Sequence, residues 1–99
     1  MINNQSVTQI IFDAVENLNQ QLPREQHLEK SIDTVLLGKL DSLGLINFIV
    51  MVEQKVEEDL GVSITLIDER AMSQENSPFK DIKTLADYIA VLLEERKNG

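Results

Sequence analysis

DSLGLINFIVMVEQKVEEDLG, residues 41–61, holds the start, the apolar stripe and the stop of one helix. Asp41 and Ser42 are both good N-cap residues, Leu45, Ile49, Val52, Val56 and Leu60 recur at helical steps, and Gly61 is a natural stop. The spacing predicts a helix from Ser42 to Leu60. It carries more apolar surface than one face needs. Leu43, Ile46, Phe48, Val50 and Met51 widen the stripe in the first half, whereas Glu53, Glu57, Glu58 and Asp59 supply charge only later. Such a helix is enclosed on several sides, or it offers an apolar patch to a partner.

Upstream, Ser6-Val7-Thr8-Gln9 has the form of a capping box, in which the Ser6 hydroxyl and the Gln9 side chain satisfy free backbone N–H groups. Val7, Ile10, Ile11, Ala14, Val15, Leu18 and Leu22 then make one stripe, so a helix is expected from Ser6 until Pro23 ends it. Residues 23–41 scatter Leu28, Ile32, Val35, Leu36, Leu37 and Leu40 among polar clusters without a period. They read as a long loop that drops apolar side chains onto the core, with a short helical turn near Ser31–Leu36. His27, in polar surroundings, reads as an exposed histidine without a catalytic role.

Downstream, Val62–Leu66 alternates briefly but has no partner strand elsewhere, so it reads as an extended connector. Residues 67–73 are expected to form a short helix opened by Asp68, and residues 74–78 a loop. A last helix should begin near Asp81–Thr84, with Leu85, Ile89, Leu92 and Leu93 on its stripe and Ala86 and Tyr88 at the margins. Its polar tail from Glu94 is expected to fray. The fold class is therefore all-α: a small three- to four-helix bundle with a long loop between the first two main helices, in one domain ordered over about residues 5–95.

Composition narrows the function. Ninety-nine residues with 9 Lys+Arg and 17 Asp+Glu carry a formal charge of −8 and allow one domain with a small aliphatic core. The chain has no Cys and a single His, which removes thiolate chemistry and His clusters. No secretory pattern opens the sequence and no apolar run reaches membrane-spanning length, so a cytoplasmic protein without membrane insertion is expected. The negative charge disfavours nucleic acid and favours basic protein surfaces. Most of it is local, because residues 41–69 carry net −6. Glu57-Glu58-Asp59 and Glu94-Glu95 read as solvated helix faces, and no metal-ligand, phosphate-loop or catalytic-triad spacing is present, so no metal site and no enzyme activity are expected.

Leu40-Asp41-Ser42-Leu43, the acidic helix body ending Glu57-Glu58-Asp59-Leu60, the following Gly61-Val62-Ser63-Ile64, and the opening Ile82-Lys83-Thr84-Leu85-Ala86 of the last helix together resemble the acyl carrier proteins. The resemblance covers about residues 5–95. It implies that Ser42 receives 4′-phosphopantetheine from coenzyme A, with Asp41 in support, and that the thiol of this arm carries acyl groups as thioesters. It further implies that Leu43, Ile46, Asn47, Val50, Glu53 and Glu57 dock partner enzymes and that Leu45, Ile49, Val52, Leu66, Ile67 and Ile89 shelter the acyl chain. The implied partners of this monomer are a phosphopantetheinyl transferase and acyl-loading and acyl-transferring enzymes with basic docking surfaces, in fatty-acid, lipid or secondary-metabolite synthesis.

The chain departs from the family's pattern at Gly44 and Asn47, where acids usually stand, and in the longer stretch Thr65–Asp81. These differences point to a specialised carrier. An aminoacyl or peptidyl carrier is the alternative within that class. An unmodified helical interaction or regulatory module is the alternative outside it.

Overall fold

Helices form where the apolar steps place them. In the computed structural model, which describes the backbone of residues 4–66 and 79–98, α1 runs Asn4–Asn19, α2 runs Ser42–Leu60 and α3 runs Ile82–Asn98. The described residues form an all-helical bundle without strands, marked only by isolated bridges between Val35 and Asp81 and between Leu37 and Leu40. The short helix expected over residues 67–73 and the loop after it lie outside the described residues.

Three helix ends differ from the sequence reading. α1 starts at Asn4, so Ser6 falls inside its first turn, and the Gln9 side chain donates forward to Asp13 Oδ1 at 3.1 Å rather than back to a cap. At its other end α1 stops at Asn19, ahead of Pro23. The Asn19 amide explains the stop: its Nδ2 donates to Leu28 O at 2.9 Å and its Oδ1 accepts from Leu28 N at 2.8 Å, pinning the returning loop to the helix end. Pro23 instead caps a 3₁₀ turn, Arg24–Gln26, while the helical turn expected near Ser31–Leu36 is a single hydrogen-bonded turn in which Thr34 N donates to Ser31 O at 3.1 Å. The tail of α3 also differs, because the helix continues through the polar residues to Asn98.

The predicted α2 needs no such revision. Asp41 caps it, and Gly61 closes it in the left-handed region at φ 68°, with its N–H donating to Glu57 O. α1 packs against both α2 and α3, while α2 and α3 approach each other directly at few points. Non-helical segments complete the core: Leu28, Leu36, Ile64, Leu66 and Phe79 are buried in the same cluster as the helical stripes. Among the described residues no polar or charged side chain is fully buried, so the interior is held by aliphatic packing and the two phenylalanines Phe48 and Phe79. The loop contributes less to the core than its composition promised. Leu28 and Leu36 are buried and Leu40 packs beside them, but Ile32, Val35 and Leu37 stand exposed.

Candidate site at the start of helix α2

The local sequence around Gly38 builds the approach to α2. Gly38 sits at φ 87°, a region that L side chains rarely enter, and lets Lys39 N and Leu40 N both turn back to Leu36 O at 3.3 and 3.0 Å. Asp41 follows in extended conformation. Its Oδ1 accepts from Gly44 N at 2.7 Å, satisfying one of the four N–H groups left free at the start of α2, and its carbonyl accepts the first helical bond, from Leu45 N at 2.8 Å. Ser42 is thereby fixed as the first residue of the helix. Leu43 N has no protein partner among the described residues. An anion at this end would meet that open donor and the positive end of the helix dipole.

This turn is braced against α3. Leu36 N and Leu37 N donate to Lys80 O at 2.9 and 3.3 Å, while Ile82 N and Lys83 N donate to Thr34 O and Ile32 O at 3.0 and 2.9 Å. The N-termini of α2 and α3 therefore lie at one end of the bundle. Asp81 caps α3 as Asp41 caps α2, accepting from Thr84 N at 2.7 Å. Burial pushes the Asp81 carboxyl up, but hydrogen bonds from the Thr84 backbone and side chain and the charges of Lys80 and Lys83 outweigh it and hold the group below its ordinary range.

Along α2 the apolar excess divides cleanly. Leu45, Phe48, Ile49, Val52 and Val56 are buried, and Met51 is partly covered. Leu43 at 68% exposure, Ile46 at 37% and Val50 at 38% face away from the core. Their steps of three and four continue through Glu53 to Glu57, so five of the six expected docking residues share one stripe, with exposed Asn47 beside it. Glu53 departs from the role of a free docking acid. It is half-buried, and its Oε2 accepts from Leu66 N at 2.6 Å.

Of the expected chain-sheltering residues, Leu45, Ile49, Val52, Leu66 and Ile89 are brought together in the buried core, and Ile67 lies outside the described residues. A surface hollow of about 340 Å³ lies elsewhere, lined by Ser63, Ile64, Thr65, Leu92 and Glu95, beyond the C-terminus of α2. α2 spans roughly 28 Å at the standard rise, so this hollow is remote from Ser42. His27 is exposed, with Nε2 2.9 Å from Leu22 O.

Sequence reasoning missed three features that shape the site: the turn at Gly38, the Asn19 clamp on Leu28 and the tie from Glu53 to Leu66. Gly38 was visible as a glycine between Leu37 and Lys39. The other two join residues far apart in sequence and left no local signal. Among the described residues no three His, Asp or Glu side chains converge as metal ligands, and no helix is long and apolar enough to cross a membrane. No family model matches the chain, and no curated protein or solved structure matches it.

Proposed function

We propose that this chain is a stand-alone, cytoplasmic acyl carrier: Ser42 bears a 4′-phosphopantetheine arm, and the domain delivers the arm's cargo to separate enzymes without catalysing a reaction itself. The observation that carries the reading is the placement of Asp41-Ser42 at the capped start of α2, immediately before an exposed apolar stripe on the most acidic helix of the chain. The residues suit the group. Leu43 N is open to a phosphate, and Gly44 leaves clear the space beside Asp41, where a Cβ would come within 3.0 Å of Asp41 Oδ1. When bound, the arm supplies the thiol that this cysteine-free chain lacks.

The chain's own residues hold and present that arm. Asp41 and the braced turn at Gly38 fix the direction of the first turn of α2, and the helix dipole offsets the charge acquired by Ser42. Leu43, Ile46 and Val50 give a partner enzyme an apolar footing beside the attachment point, and Glu57 and its acidic neighbours favour a basic rim on that partner. Partners of this kind are a phosphopantetheinyl transferase and the enzymes that load and unload the arm. The uncharged stretch 42–52, with Gly44 and Asn47 in place of acids, supports a specialised carrier over one that serves general fatty-acid synthesis.

The same exposed stripe favours a second reading, an interaction module that is never modified. Replacing Ser42 by Ala in the cells that make the protein separates the two. Loss of the protein's biological role with the fold intact supports the carrier, and full retention of that role supports the unmodified module.

A further inference from the structure

We propose that Glu53 is a latch that couples docking on α2 to the seating of the connector 62–66. The partner's identity rests on the carrier reading above; the latch itself rests on geometry alone. Leu66 is fully buried, and its N–H needs an acceptor that water does not supply there. Glu53 Oε2, one element away and thirteen residues earlier, supplies it at 2.6 Å. Among the described residues this is the hydrogen bond that the structure gives the connector between Val62 and Leu66. The connector is thus seated on the core by Ile64 and Leu66 and tied by a single carboxylate.

That carboxylate also belongs to the docking stripe. Glu53 follows Leu43, Ile46 and Val50 at helical steps and precedes Glu57, so a protein resting on the stripe reaches it. No cation of the described residues pairs with Glu53; the ion pairs present are Lys30 with Glu16 and Lys83 with Asp87. An arginine or lysine on the rim of a docked protein therefore finds an uncompensated carboxylate, and a two-point charged pair outcompetes one backbone N–H for it. Once the carboxylate turns outward, the Leu66 N–H is left buried without an acceptor, and the connector lifts to reach water. Docking on one side of α2 is in this way transmitted to the cover on the core at its other side.

Amide hydrogen exchange at Leu66, referenced to Val52 in the same chain, tests the coupling. The full chain carrying Ser42→Ala is measured alone and with saturating phosphopantetheinyl transferase, so that the complex forms without turnover. Binding is expected to speed Leu66 exchange about tenfold or more while Val52 is unchanged. In the free chain Glu53→Ala is expected to give the same acceleration without the transferase. Glu53→Gln keeps an acceptor oxygen but no charge, so Leu66 stays protected both free and bound; a purely structural hydrogen bond instead leaves Leu66 equally protected in the complexes with and without Glu53→Gln. Leu66 exchange unmoved by Glu53→Ala overturns the latch. Transferase binding that leaves Leu66 protected overturns the coupling and spares the carrier reading, whereas neither binding nor transfer to the unsubstituted chain overturns the carrier reading and the coupling together.

Discussion

Asp41 Oδ1 lies 2.7 Å from Gly44 N, and the same oxygen is what an added Cβ on Gly44 would meet, at 3.0 Å. Cap and glycine are thus one arrangement that sets where α2 begins. Asp41→Ala is expected to cost about 1 kcal/mol of stability, and Asp41→Asn much less, because asparagine caps as well as aspartate. Urea unfolding of the three chains measures this. The alanine variant should also slow modification of Ser42, since the first turn that presents it is loosened.

At α3 the cap titrates. The Asp81 carboxyl is held below its ordinary value, so the stability it contributes is complete above the unfolded-state value near 3.8 and is lost as pH falls through the lower folded-state value. Asp81→Ala should therefore be less stable than the parent chain at pH 7 by about 1 kcal/mol. The gap between the two should close as the pH is taken from 5 towards 2. A gap that stays constant over that range would show that Asp81 makes no charge-dependent contribution. Thermal unfolding of both chains across the range supplies the comparison.

Surface and core residues of α2 should separate in their effects. Leu43→Ala, Ile46→Ala and Val50→Ala are each expected to change stability by no more than about 0.5 kcal/mol, because their side chains already face solvent. Their expected effect is a higher KM for a phosphopantetheinyl transferase. Phe48→Ala, midway between Ile46 and Val50 in sequence but on the opposite, inward face, empties a fully buried site and should cost about 3–5 kcal/mol. Chemical denaturation and transferase kinetics on the four variants read both effects.

How much of this was legible in the sequence follows from which forces are local. Helix α2 was readable from end to end because its cap at Asp41, its stripe from Leu45 to Val56 and its stop at Gly61 are all written within one stretch. The start and stop of α1 were not, because its end is set by Asn19 reaching Leu28 across the loop, and its start lies ahead of a capping box whose Gln9 is engaged with Asp13. The apolar loop residues divided unexpectedly for the same reason. Backbone pairing with residues 80–83 fixes Val35 and Leu37 outward and Leu36 inward, and no periodicity announces that pairing. At the site, the spacing of Leu43, Ile46 and Val50 told that they share a face, but only the fold tells that the face is open. Glu53 shows the converse. Its spacing continues the stripe of Leu43, Ile46 and Val50, and the connector that folds back to it claims one of its oxygens.

The Asn19 clamp should matter beyond its size. Asn19→Ala removes an acceptor from Leu28 N and a donor from Leu28 O, both in partly buried surroundings, and is expected to cost about 1–3 kcal/mol. Asn19→Asp keeps the acceptor but loses the donor, and should fall between the two. Denaturant midpoints of the three chains check the order.

The most direct test of the central claim is the intact mass of the protein before and after incubation with coenzyme A, magnesium and a broad-specificity phosphopantetheinyl transferase, with Ser42→Ala alongside. The expected result is a gain of one phosphopantetheine on the parent chain and none on the variant. An unchanged parent mass, with the transferase active on a known carrier and the helices intact by circular dichroism, would contradict it.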